Sequence, residues 1–283
     1  MHTGSGVGTE VGPVLRFDNR PERTGEWLAG LWASRELLVA LARKDFRVRY
    51  KRASLGILWS VALPVMQSAV MVFIFSRVGH FGTGSHFNYA AFVLAGMVPW
   101  LYLATSVPAS TTSIVDASDL TDKVFFPRAV LPLVGPAANL VTLGISTAIL
   151  LVALPIVGQP LTLRFLLVIP AALLLCVFTG ALGLALGALY VYFRDVKFVV
   201  QAVLLVWIYL TPIVYPPTAL KSAGRWLDFN PLTGIVGLFQ RATTTAPVPT
   251  ARALVVSVVG TALLAFLAMV AHRRHDRLFV DLL

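Results

Sequence analysis

Charge is what the long apolar stretches of this sequence lack. Six runs, at 55–76, 87–110, 129–157, 165–193, 198–215 and 253–271, contain no Asp, Glu, Lys, Arg or His. Ionisable residues inside a membrane usually mark proton or ion pathways, so an ion-coupled transporter is a poor fit. The chain as a whole is 13% charged, where a soluble domain carries roughly 25%. A water-facing globule would have too little polar surface. The single cysteine, Cys176, lies within an apolar run and excludes an intrachain disulfide. None of Lys44, Lys51, Lys123, Lys197 and Lys221 completes the Gly-Lys-Ser/Thr ending of a phosphate-binding loop. The chain is therefore not expected to hydrolyse ATP, and any nucleotide energy has to come from a second subunit. His80, His86, His272 and His275 have no Cys or carboxylate to complete a ligand set, so no metal site is expected.

What is present is hydrophobic length. Hydrophobic residues make up 57% of the 283, and the mean hydropathy is +0.80. A bilayer core of about 30 Å needs roughly 20 apolar residues at helical rise. The six runs therefore predict an all-α membrane protein with six transmembrane helices, within a domain spanning 54–271. Pro132, Pro136, Pro155 and Pro170 mark where the third and fourth spans tilt or break. The first 26 residues carry Gly, Glu, Arg and Pro without an apolar core, which reads as a flexible tail rather than a signal peptide or a span.

The formal charge of +10 sits at the ends of the apolar runs rather than along one stripe, so it points to membrane topology and not to nucleic acid. With the N-terminus inside, the cytoplasmic segments hold 17 Lys and Arg and the outer ones 6. By the positive-inside rule both termini, including the tail 272–283, are expected in the cytoplasm. Ahead of the first span, Leu28, Leu31, Trp32, Leu38, Val39, Ala42 and Phe46 recur at helical spacing. Residues 27–53 thus read as an amphipathic helix, lying in the headgroup layer or packed on cytoplasmic protein, that ends in a basic elbow. Arg43, Lys44, Arg47, Arg49, Lys51 and Arg52 form that elbow and suit anionic lipid.

The cytoplasmic turn 113–128 carries Asp116, Asp119 and Asp122 at three-residue spacing before Lys123. Carboxylates along one side of a short helix suit docking onto a partner or simple solvation. Residues 216–250 form the one long outer connection. Two short helices dipping into the membrane would satisfy its backbone better than an irregular loop. Gly180, Gly183 and Gly187 form a small-residue face for close helix contact.

Four groups of residues together resemble one family. These are Arg43, Asp45, Arg49, Tyr50, Lys51, Ser54, Leu55, Gly56, Trp59 and Pro64 at the elbow; Leu120, Lys123, Val124, Phe126, Pro127, Arg128 and Pro132 at the first cytoplasmic turn; Arg194-Asp195-Val196 at the second; and Thr211-Pro212-Ile213 with Tyr215-Pro216 and Asn230-Pro231. From about Leu31 onward the chain resembles the membrane permease of type-2 ABC exporters, in the branch that exports O-antigen, teichoic acid, capsule or galactan. The acidic run Asp116, Asp119 and Asp122 departs from the usual pattern.

The resemblance implies a homodimer in the bacterial inner membrane, with an ABC ATPase subunit, two copies in all, docked beneath it. ATP and Mg would bind that partner, and this chain would need no cofactor. Docking would fall to Asp116, Asp119, Leu120, Asp122, Lys123, Phe126, Pro127, Arg128, Arg194 and Asp195. The basic elbow would attract the pyrophosphate of a polyprenyl-linked glycan. Phe73, Trp100, Tyr102, Tyr209, Thr211 and Tyr215 would line an uncharged channel between the permeases, and two short re-entrant helices would line its exit. Two other classes stand beside this one: a type-2 exporter of a small lipid or drug, and a membrane-embedded lipid-modifying enzyme. The enzyme would need paired carboxylates at one interface, and only Asp228 lies on the outer side.

Overall fold

The computed structural model describes residues 24–51, 58–77, 88–117, 126–156, 158–160, 162–216, 219 and 224–275. Their regular structure is all helical, with no strand among them. In chain order the helices are α1 (Thr24–Ala33), α2 (Arg35–Tyr50), α3 (Trp59–Arg77), α4 (Tyr89–Asp116) and α5 (Val130–Ile156). A 3-10 turn at Leu163–Leu167 leads into α6 (Val168–Tyr192), followed by α7 (Val196–Leu210), α8 (Gly224–Leu227), α9 (Pro231–Thr243) and α10 (Ala251–His275). Four helical stretches among them, Tyr89–Asp116, Val130–Ile156, Leu163–Tyr192 and Ala251–Arg273, are long and apolar enough to cross a membrane. Val65–Arg77 and Val196–Leu210 are shorter apolar helices. The start of the first expected span, 55–57, lies outside the described residues.

The helix ends follow from local chemistry. Asn88 caps α4 by accepting from the Ala91 N–H at 3.1 Å, which satisfies one of the donors a helix start leaves open. The helix then runs to Asp116, past the 110 expected from hydropathy, so the first residues of the expected turn belong to α4. Proline ends α7: Pro212 forces Thr211 into extended backbone at φ −107° and ψ 133°. The fifth apolar run thus gives 15 helical residues, about 22 Å at helical rise, followed by an irregular stretch. Pro136 and Pro155 sit inside α5 without dividing it.

α4 is the hub, packing against α3, α5, α6, α7 and α9. Its apolar stretch is 72% buried within the chain, against 22% for α10. Close approach of α4, α5 and α6 depends on small residues. A Cβ at Gly183 would stand 2.6 Å from the Ser110 Cβ, and one at Gly187 3.0 Å from the Pro132 Cγ. Ser110 Oγ also donates to the Pro132 carbonyl at 2.6 Å. Such contacts let dispersion and interhelical hydrogen bonds hold helices together where lipid supplies no hydrophobic drive.

Candidate functional site

One pole of the bundle gathers α1, α2, the ends of α4 and α6, and the starts of α5 and α7. The amphipathic segment is two helices rather than one, because the chain turns at Ser34, whose hydroxyl donates to the Gly30 carbonyl at 2.9 Å. Trp27 anchors α1, buried against Ala129 just before α5, Leu184 of α6 and Ala268 of α10. Leu41 anchors α2 against Ile114, Leu131, Ala188 and Val191. Leu28, Trp32 and Val39 face outward, and the Arg35 guanidinium lies 5.5 Å over the Trp32 ring. The segment therefore has two apolar faces, one on the bundle and one free of it.

Phe126, Pro127 and Arg128 are half-buried, with Pro127 beside Gly30 of α1 and Phe126 against the Leu41 cluster. Asp116 is exposed at the end of α4. Arg194 and Asp195 are exposed between α6 and α7, and the Arg194 guanidinium lies 5.5 Å over the Tyr190 ring. Asp119, Leu120, Asp122 and Lys123 lie outside the described residues, as does Arg52. The two predicted turns thus share a pole with α1 and α2.

Arg43, Lys44, Arg47 and Lys51 are exposed along this pole. Arg49 is exposed too, but its guanidinium turns toward α5. Its Nη1 donates to Asn139 Oδ1 at 2.6 Å and its Nη2 to Asp45 Oδ2 at 2.8 Å. Asn139 Nδ2 in turn donates to Ser106 Oγ at 2.9 Å. Beside this relay a cleft opens, lined by Arg49 of α2, Leu63 of α3, Val98, Leu101, Tyr102 and Thr105 of α4, and Asn139, Thr142, Leu143 and Ser146 of α5. Reading by charge alone missed Asn139, Ser106, Thr142 and Ser146. Asn139 is the only amide side chain in the third apolar run, and a lone amide in such a run is the signal that would have found it.

The expected channel residues are spread over the molecule. Phe73 on α3 and Tyr209 on α7 are exposed. Trp100 and Thr211 are buried within the chain, while Tyr102 is buried and also borders the cleft. Tyr215 is half-buried and donates to the Tyr209 carbonyl at 2.6 Å.

The opposite pole is closed by hydrogen bonds to irregular backbone. Asn230 accepts from Leu232 N–H at 3.0 Å and Trp207 Nε1–H at 3.1 Å. The same side chain donates to the Leu210 carbonyl at 3.1 Å and Thr211 Oγ1 at 2.9 Å. Gln240 Nε2 donates to the Pro212 carbonyl at 2.9 Å, and the Tyr89 hydroxyl donates to the Val214 carbonyl. α9 is thereby tied to the end of α7. Among the described residues no group of His, Cys, Asp and Glu is placed to hold a metal ion.

Comparison with known proteins fits this arrangement. The family model for ABC-2 type transporters matches residues 36–242. A Myxococcus xanthus protein described as O-antigen export system permease protein RfbA is 31% identical over 213 residues, covering 74% of this chain and 81% of that protein. A Klebsiella pneumoniae protein of the same description is 30% identical over 207 residues, covering 71% and 77%.

Proposed function

Because this chain belongs to the ABC-2 type transporter family, which it matches over residues 36–242, we propose that it is the membrane permease of an ATP-driven exporter carrying a lipid-linked polysaccharide out of the cytoplasm. The observation that carries this reading is the 31% identity to an O-antigen export permease over most of both chains. The chain is a multi-pass membrane protein and a transport subunit. ATP and Mg belong to a partner ATPase, two copies of which dock under a homodimer of this chain.

In this reading α3 and α7 cross the inner membrane with the four long helices, which makes six spans. α7 falls short of a full crossing by itself, and the irregular residues after it complete the distance. Non-helical backbone at membrane depth is tolerated only where protein satisfies it. Asn230, Gln240 and Tyr89 supply those bonds, which supports α8 and α9 as a re-entrant segment. The basic pole faces the cytoplasm, with α1 and α2 in the interface and the turns around Arg128 and Arg194 against the ATPase. The exposed faces of α3 and α7, with Phe73 and Tyr209, border the channel between two copies. An aromatic face offers a sugar ring an apolar platform without fixing one geometry. The basic row Arg43, Lys44 and Arg47 draws the lipid phosphate to the entrance.

The test is to deplete the protein in its own host and analyse the lipid-linked saccharides left in the cell by mass spectrometry. Accumulation of a long polyprenyl-linked glycan is the expected result. An unchanged pool with intact envelope glycans would overturn the polysaccharide reading in favour of export of a small lipid or drug.

A further inference from the structure

The two halves of α2 are held to the bundle differently. In the first half, Leu41 packs on its cluster and Ala42 is buried. From Arg43 to Arg49 no residue is buried, and Val48 is 68% exposed. A polar tie reaches from this second half to α5, where Arg49 Nη1 donates to Asn139 Oδ1 at 2.6 Å. The same end of α2 supplies one wall of the cleft whose other walls are α3, α4 and α5. With α2 in place Arg49 stands across that side of the cleft, and with α2 away the side is open.

The two ends of the tie are unlike. Asn139 is buried, and its Nδ2 is spent on the Oγ of Ser106, itself fully buried on α4. That bond turns Oδ1 toward α2. If α2 moves away, the amide oxygen loses a charged donor, and hydrogen bonds from ionised groups are about twice as strong as neutral ones. Arg49 is better provided for. Its Nη2 donates to Asp45 Oδ2 at 2.8 Å, one turn back on the same helix, and this ion pair travels with α2. Breaking the tie therefore costs one charge-assisted hydrogen bond and leaves no charge without a partner, so the break is reversible.

We propose that Asn139 is the catch of a latch that holds α2 over this cleft. α2 then has two positions: caught, with Arg49 on Asn139, and released, with Arg49 kept by Asp45 alone. Ser106 is a positioning residue that keeps the catch turned toward α2. A two-state element of this kind is what a partner acting on the basic pole can bias. The latch rests on the export reading only for what the movement of α2 serves.

The test uses the full chain with Cys176→Ala, reconstituted in nanodiscs and carrying one reporter, Ala42→Cys. Ala42 is 7% exposed and lies two turns before Arg49, on the face of α2 that meets the bundle. The rate at which a water-soluble maleimide labels this cysteine measures how often α2 is released. Val48→Cys, on the exposed face, controls for the reagent. Asn139→Leu is expected to raise the labelling rate about tenfold, as loss of one hydrogen bond from a charged group predicts. Arg49→Ala does the same, and the two together label no faster than either alone, because both remove one bond. Asn139→Asp keeps an acceptor for Arg49 and can accept from the Ser106 hydroxyl, so it returns the rate to near that of the parent. Ser106→Ala, a change on α4, quickens labelling a few-fold through the freed amide. If Asn139→Leu does not fold, Arg49→Ala and Ser106→Ala carry the same comparison. An unchanged rate at Ala42→Cys in these variants, with the Val48→Cys control constant, overturns the latch. So does additive acceleration in the Arg49/Asn139 double variant, which would mean that the two act separately. No glycan enters this assay, so the latch and the export reading stand or fall apart.

Discussion

Ser110, Gly183 and Gly187 set how closely α4, α5 and α6 approach. Gly183→Ala places a methyl 2.6 Å from the Ser110 Cβ, which cannot move without displacing the hydrogen bond to Pro132. Overpacking of this kind costs roughly 1–3 kcal/mol. Gly144→Ala meets nothing within 4 Å and removes a helix-interior glycine worth about 0.5–1 kcal/mol. Thermal unfolding of the two detergent-solubilised variants should therefore move in opposite directions from wild type. Two downward shifts of equal size would refute the packing account. Asn230 makes a second test, since its amide caps α9 and holds the end of α7. Asn230→Asp keeps the cap acceptor but loses the donor to Leu210, so it should be destabilised, and Asn230→Ala more so. An aspartate as stable as wild type would show that the tie to α7 contributes nothing beyond capping, itself worth about 1 kcal/mol.

At the scale of elements, α1 stays on the bundle through Trp27, which is buried, with Leu31 packed beside the same cluster. Its other aromatic, Trp32, is 72% exposed, while Trp27 is 6% exposed. Trp27→Ala removes a buried indole, a change that costs about 3–5 kcal/mol in a packed core. The loss falls on the docking of α1, because α2 keeps its own anchor at Leu41. Limited trypsin digestion should then cleave at Arg35 at least tenfold faster than in wild type, with the remaining bundle intact. Trp32→Ala should leave the rate unchanged. Equal rates for the two would mean that α1 is not held by the face the structure buries.

For the whole molecule, the proposed topology sets the two poles on opposite sides of the membrane. With Cys176 replaced by alanine, single cysteines at Lys44 and Arg194 should be labelled by a membrane-impermeant thiol reagent only after the cells are opened. Cysteines at Arg164 and Val248 should be labelled in intact cells. Labelling of Lys44 and Arg164 positions from the same side would break the topology. The assignment rests on the excess of Lys and Arg at one pole, which acts during insertion and needs no tertiary contact.

Much of this was legible in the residues themselves. Helical class, apolar length and the basic pole follow from local composition, because a bilayer sorts segments by transfer free energy and each backbone must satisfy its own hydrogen bonds. The end of α7 at Thr211 was open to the same reading through Pro212, although hydropathy carried the run onward to 215. What only the tertiary structure decided is which polar groups meet. Arg49 and Asn139 are 90 residues apart in sequence, and Tyr89 and Val214 are 125 apart. Nothing in periodicity records such pairs, since both partners are ordinary in their own helices. Their meeting depends on how closely helices pack, and that is set by single glycines and serines whose local signal is weak. The sequence by itself thus determined a polytopic helical protein with one basic face. The packing of α2 against α5 decided that Arg49, a charge outside every apolar run, meets Asn139 inside one.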